Sequence, residues 1–388
     1  MPAMQVIRFS LLLAVSAAAV AQAPTPSPQS RSAWQMQDSG TTASLRGIDS
    51  VDGTVAWASG TTGTVLRTTD GGTHWQKCAV PGPDGDTLDF RGVEGFNANT
   101  AIVMASGAGD KSRLYKTTDG CRSWKLLFKN PDAPKGFFDS FWMNGTHGML
   151  VGDPVGGKFV VFRTANGGKS WKRDPEQGLL LRGRSLAAFA ASNSSLARGN
   201  RLFAWGFVAG GKDGAVLFSR LYDPDAEQPS GIIGKMARKK TGWTTRPIGI
   251  ASGTESAGAF SLAYRYPVTT GICEKCGFGE NSRFIAVGGD YLKPNESAGT
   301  AATSTDGGWT WTVAVKPPHG YRSSVEWSDS LKLWISAGTN GSDLSRDDGK
   351  TWQPLDDGNW NALALPFVVG PDGRIARLKS ASLPGAIK

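Results

Sequence analysis

Five copies of one eight-residue phrase constrain this chain more than any other feature. Thr68-Thr69-Asp70-Gly71-Gly72-Thr73-His74-Trp75 sets an acid and two glycines ahead of a large aromatic. The phrase returns at Asp119 with Trp124, Asn166 with Trp171, Asp306 with Trp311, and Asp347 with Trp352. From Asp70 to Asp119 is 49 residues, from Asp119 to Asn166 47, and from Asp306 to Asp347 41. A period of that size, in a chain with 51 glycines and 14 tryptophans, predicts one small antiparallel sheet per repeat. One such sheet cannot bury both of its faces, so it must stack on its neighbours.

The segments around each phrase repeat in the same order. Leu45-Arg46-Gly47-Ile48 starts an inner strand, and 55–58, 64–68 and 75–78 follow it outward, with Gly, Asp and Thr at the junctions. The second unit copies this from Phe90-Arg91-Gly92-Val93, and the third runs from 137 to 171. The 140 residues between Asn166 and Asp306 hold the missing signatures. A fourth unit is expected at 185–189, 202–207, 214–220 and 243–246, and a fifth at 259–264, 284–289, 300–304 and 311–315. The sixth is compact, from 323 to 355. The tail from 361 to 379 offers three strands, and Trp34-Gln35-Met36-Gln37 can supply the fourth, which closes a ring and removes two exposed edges. The expectation is an all-β, seven-bladed propeller of four-stranded antiparallel blades over residues 34–380.

Within each phrase the Asp or Asn side chain can accept backbone N–H groups of its own turn, and the glycines tolerate positive φ. The Trp can bury its ring between blades. Asp70, Asp119, Asn166, Asp306 and Asp347, with Trp75, Trp124, Trp171, Trp311 and Trp352, are therefore expected to be structural.

The phrase resembles the Asp-box, or BNR, repeat. The longer unit, Leu45-Arg46-Gly47-Ile48, Trp57-Ala58-Ser59-Gly60 and Val65 through Gly72, is similar to the photosystem II assembly and stability factor family of seven-bladed propellers. That resemblance implies a scaffold that binds partner proteins, partly through arginines near the axis. Asp-box propellers also include glycoside hydrolases, so the repeat alone leaves activity open.

Arg46 and Arg91 head equivalent inner strands, and Arg184 (or Arg182) and Arg322 can be laid over them in later blades. Their convergence would make one mouth of the axial channel basic and suited to a carboxylate-bearing protein or peptide. The alternative is that they pair locally with Asp49, Asp89 or Asp139. A hydrolase would need acids, or a tyrosine with an acid partner, facing across a sugar; its candidates are Glu326, Tyr264 and Asp139. A sialidase would resemble its family further through an Arg-Ile-Pro phrase, which is not found before Asp70.

Arg8 followed by the apolar run from Phe9 to Ala21 has the form of a signal peptide over 1–21, with a flexible leader at 22–33. The expected product is a periplasmic or secreted monomer without a membrane span after cleavage. Its formal charge of +9 favours acidic partners, with a glycan as another possible ligand. The basic run at 235–240 sits in an expected loop, and nothing resembles a nucleic-acid module. The loops at 227–240 and 269–281 offer a further binding surface. Cys78, Cys121, Cys273 and Cys276 allow three disulfide pairings. The Cys-x-x-Cys spacing of the last two also admits redox or zinc chemistry, but a structural staple is the expectation, with no metal or cofactor.

Overall fold

Every repeat folds as four antiparallel strands hydrogen-bonded in chain order, and seven such sheets form a ring. The structure is a computed structural model that describes residues 33–82, 84–174, 178–198, 205–220, 242–265 and 282–383. The expected signal segment, most of the leader, the basic run, both candidate loops, and Cys273 and Cys276 lie outside them. No described helix is long and apolar enough to cross a membrane.

The innermost strands are Leu45–Ser50, Phe90–Gly95, Phe138–Asn144, Leu196–Ala197, Ala257–Arg265, Ser324–Ser328 and Ala362–Ala364, in blades 1 to 7. Second strands such as Ala56–Gly60 and Ala101–Ala105 are buried along their whole length, because both faces of a blade are covered. The core accordingly divides into seven clusters, one per blade interface. Trp34–Gln37 pairs antiparallel with Ile375–Leu378, Trp34 opposite Leu378, so the N-terminal strand closes blade 7 as expected.

The boxes repeat their geometry. Asp119 Oδ1 accepts from Thr117 Oγ1 at 2.9 Å and Ser123 N at 3.0 Å, and Oδ2 accepts from Ser123 Oγ at 2.6 Å. Gly71, Gly72, Gly167, Gly168, Gly307, Gly308 and Gly349 all have positive φ. In blade 2 the second glycine position is Cys121, held at φ 65° and disulfide-bonded to Cys78 on the outer strand of blade 1. Each box Trp packs against the blade before its own. Trp75 meets Phe367 of blade 7 edge-on at 5.7 Å, Trp124 meets Trp57 at 6.5 Å, Trp171 stacks on Phe128 at 5.7 Å, and Trp352 is fully buried with Ile285 and Val287.

The inner part of blade 4 differs from the expected trace. Ala187 pairs with Gly210 and Leu196 with Phe207, so nine residues on one strand advance against three on its partner. The surplus, residues 188–195, leaves the sheet. Its composition, Ala-Phe-Ala-Ala-Ser-Asn-Ser-Ser, combines small side chains with hydroxyl and amide groups that can bond to strands around it.

Candidate functional site: the mouth of the axial channel

Equivalent positions on the innermost strands can be fixed by close approach. A Cβ on Gly60 would lie 2.4 Å from Ser44 O and 3.0 Å from Leu45 Cα, and one on Gly338 would lie 2.1 Å from Tyr321 O and 3.0 Å from Arg322 Cα. Leu45 N donates to Gly370 O of the preceding blade, and Arg322 N likewise to Gly288 O. Arg322 therefore matches Leu45 and not Arg46. The same test at Gly152, Gly211, Gly288 and Gly370, with the Phe90–Ala105 pairing, defines the ring at the mouth. It consists of Arg46, Arg91, Asp139, Ala187, Phe260, Ser323 and Asn361. The next residue in each blade is small: Gly47, Gly92, Ser140, Ala188, Ser261, Ser324 and Ala362. At Gly47 a Cβ would come within 3.2 Å of Arg91 O and 3.3 Å of Gly92 Cα, which shows how closely the inner strands approach.

This corrects the expected four-arginine ring. Arg322 is completely buried. Its Nε donates to Asp343 Oδ2 at 2.7 Å and its Nη1 to Tyr321 O at 2.6 Å and Asn340 Oδ1 at 2.5 Å. His319 joins the group through Asp343 Oδ1 at 2.8 Å, and that hydrogen bond raises the histidine pKa. Such an ion pair serves the interior of blade 6. Arg184 also lies off the ring, where Ala187 takes the equivalent place. It donates to Leu181 O and lines a separate pocket of about 410 Å³ with Asp213, Thr245 and Ser252.

Arg46 and Arg91 do come together. Both use Asp89, Arg46 Nε at 3.3 Å from Oδ1 and Arg91 Nε at 2.8 Å from Oδ2. About 30% and 28% of the two side chains remain exposed. Burial lowers the Arg46 pKa, Asp89 opposes that shift, and Arg91 adds to it. Arg91 also donates through Nη1 to Ala190 O at 3.2 Å and lies 5.8 Å from the centre of the Phe137 ring.

Ala190 belongs to the segment that leaves blade 4, and that segment fills the axis. Asn193 Oδ1 accepts from Phe141 N at 2.9 Å, and Ser140 Oγ donates to Asn193 O at 3.0 Å, both from blade 3. Ser192 Oγ donates to Ser323 O of blade 6 at 2.6 Å, and Ser194 Oγ to Ser261 Oγ of blade 5 at 2.7 Å. A Cβ on Gly92 would lie 2.7 Å from Asn193 Oδ1, so the glycine of blade 2 leaves room for the plug. The mouth is thus a socket with a floor.

Beyond the plug, three carboxyls face the channel from blades 1, 2 and 6. Asp49 Oδ2 accepts from Gly95 N at 2.7 Å, Glu94 Oε1 from Asn193 Nδ2 at 3.4 Å, and Glu326 Oε2 from Leu365 N at 2.8 Å. Burial raises Asp49 to about 6 and Glu326 to about 7, and it places Glu94 well above its usual range with help from the charge of Asp49. The described acids, histidines and cysteines form no group suited to a metal ion.

The hydrolase candidates are not gathered. Asp139 stands at the mouth, whereas Glu326 lies three positions past the ring residue Ser323 and deeper in the channel. Tyr264 packs on Phe284 at 5.6 Å in the interface of blades 4 and 5, and donates to Arg198 O. The sequence reading missed the axial plug, Asp153 and the inner acid Glu94. The available signal for the ring was the small residue that follows each of its members.

No family model matches the chain. The photosystem II assembly lipoprotein Ycf48 of Synechococcus sp. (strain CC9902) is 28% identical over 148 residues, which is 37% of this chain and 40% of that protein. The chain thus matches less than half the length of this curated relative. The structure of YCF48 from Cyanidioschyzon merolae superposes with a TM-score of 0.57 at 18% identity, covering 90% of this chain and 99% of that one. YCF48 bound to a D1 peptide gives 0.56 at 16% identity, covering 89% and 94%. The chain resembles the Ycf48 propellers in its fold, and one Ycf48 protein in sequence over those 148 residues.

Proposed function

We propose that this protein is an exported, monomeric, non-catalytic propeller that holds an acidic protein or peptide segment at the Arg46 and Arg91 mouth. The observation that carries this reading is the convergence of the two guanidinium groups on Asp89 at the ends of neighbouring strands, above a closed floor. Asp89 fixes Arg91 through its Nε and holds Arg46 by charge alone, at 3.3 Å without a hydrogen bond, which leaves the Arg46 guanidinium for a partner carboxylate. A peptide complex of a similar propeller supports a peptide ligand, and the formal charge of +9 favours an acidic one. Export rests on the Arg8 and Phe9-to-Ala21 pattern at the N-terminus. Hydrolysis is disfavoured because Asp139, Glu326 and Tyr264 do not face a common space.

The test is fluorescence anisotropy with a labelled peptide ending in Glu and a free carboxyl terminus. Arg46→Ala with Arg91→Ala should weaken binding at least roughly tenfold in a variant whose circular dichroism shows the fold retained. Unchanged affinity in the double variant would remove the mouth from the mechanism.

A further inference from the structure

The mouth is not uniformly basic. Asp139 takes the ring position after Arg91, and Asp153 rises beside it on the second strand of the same blade. Asp139 is 2% exposed, and its Oδ2 has no hydrogen-bond partner. Asp153 is partly exposed and accepts from Ala188 N of the plug at 3.2 Å, so solvent reaches the pair through Asp153, with the Asp139 oxygen covered behind it. Neither carboxyl has an ion-pair partner among the described residues, since Arg46 and Arg91 both engage Asp89. A buried carboxyl oxygen left without a partner is costly, and in a binding site it marks a place that a ligand can complete.

We propose that the mouth recognises a two-charge motif: a carboxylate against Arg46 and Arg91 and, beside it, a lysine or arginine side chain against Asp139 and Asp153. This rests on the reading of the mouth as a partner site and goes further, because a merely acidic segment would leave the blade 3 carboxyls incomplete. In the free protein, burial and then the neighbouring Asp153 hold Asp139 well above the usual carboxylate range, and Arg91 only partly offsets them. Burial likewise raises Asp153 to about 6. An ammonium group brought within a few ångströms favours the carboxylate form, so binding should release a proton. The charged group acting on the pair from another blade is Arg91 of blade 2; the plug, residues 188–195, carries no titratable side chain.

The experiment uses two labelled hexapeptides that differ in one residue next to a glutamate, lysine in one and norleucine in the other. Anisotropy is measured from pH 5 to 8 on the full chain and on Asp139→Asn, Asp153→Asn and the Arg46→Ala/Arg91→Ala double variant. The wild type should prefer the lysine peptide by roughly tenfold at pH 8, and the preference should shrink as the pH falls. Asp139→Asn should lose the preference and its pH dependence. Should that variant fail to fold, the more exposed Asp153→Asn should show a reduced preference. Equal binding of both peptides by the wild type, or a preference that survives both substitutions, overturns the proposal while leaving the arginine site intact. If neither peptide binds the wild type, the partner-site reading falls and takes this proposal with it.

Discussion

Blades 2 and 4 meet the same requirement with different chemistry. In blade 2 the turn before the outer strand is fastened locally, by Asp119 bonded to Thr117 and Ser123 within a few residues of itself. Blade 4 is fastened at long range. Asp174, buried in the connection from blade 3, receives Arg163 of blade 3, Arg220 of blade 4, and the indole N–H of Trp243 at 2.7 Å. The local solution is modular, since each box depends on its own eight residues. The long-range solution depends on three charged side chains meeting in a dry interface. The blade that uses it is also the one whose inner strand departs to form the axial plug.

The largest expected effect tests that difference directly. Asp174→Ala takes from the buried Arg220 the carboxylate it pairs with and from the Trp243 indole its acceptor, and should cost about 3–5 kcal/mol. Denaturant titration of the purified variant provides the measurement. A loss under about 1 kcal/mol would mean that blade 4 is held by its aromatic contacts, such as Phe207 with Trp243, and not by its ion pairs.

The next effect probes the one boxed turn with a covalent tie. Cys78 and Cys121 are 43 residues apart, and replacing both with serine frees a loop of that length in the unfolded chain at a cost of about 4 kcal/mol. Cys121 stands at φ 65° where the other boxes place glycine, so the native turn is already one that a side chain rarely adopts. Cys78→Ser with Cys121→Gly should therefore recover part of the loss relative to the double serine variant, as read by the melting temperature. Equal melting temperatures would indicate that the disulfide does not act by holding a strained turn.

The boxes, their tryptophans and the ring closure were legible in the sequence because each rests on residues close together in the chain or on a repeat copied five times. The mouth was only half legible. Arg46 and Arg91 were placed by matching surroundings, a large apolar residue before each and a glycine after, whereas Arg322 was misplaced by one position because blade 6 has no such glycine and carries Ser323-Ser324 instead. The register there is set by the approach of Gly338 to Tyr321 and Arg322, a contact between strands. The plug left no periodic trace at all. Apart from Phe189, which stacks on Phe260, its residues are small, and their partners lie in blades 2, 3, 5 and 6.

Rim and channel acids should respond to pH in opposite directions. Asp70 is depressed to about 2, first by the His74 N–H bond, and Asp119 to about 2 by the Ser123 hydroxyl and N–H. The native state therefore binds fewer protons than the unfolded chain there, and their contribution is lost as the pH falls from about 4 toward 2. Asp49, Asp153 and Glu326 are raised to about 6, 6 and 7 by burial, so the native state binds more protons than the unfolded chain between about pH 4 and 7. Stability should decline by a few degrees of melting temperature as the pH rises through that window. Asp49→Asn with Glu326→Gln should flatten the decline. A melting temperature that climbs from pH 5 to 8 would contradict the assigned directions.

The smallest expected effect lies within a single box and asks which atoms it needs. Blade 3 already contains the natural variant: Asn166 accepts from Thr164 and from Ser170 N at 3.0 Å, as Asp119 does from Thr117 and Ser123. The difference is one reversed bond. Ser123 Oγ donates to Asp119 Oδ2, whereas Asn166 Nδ2 donates to Ser170 Oγ at 2.8 Å. A serine hydroxyl can take either role, so Asp119→Asn should leave the melting temperature nearly unchanged, while Asp119→Ala, which leaves the Ser123 N–H without its acceptor, should lower it measurably. If both substitutions cost the same, the box depends on the carboxylate charge, and Asn166 would have to be offset elsewhere in blade 3. If Asn is tolerated and Ala is not, the box is a hydrogen-bonding unit. In that case the local solution survives an exchange of charge, which the network around Asp174 is not expected to do.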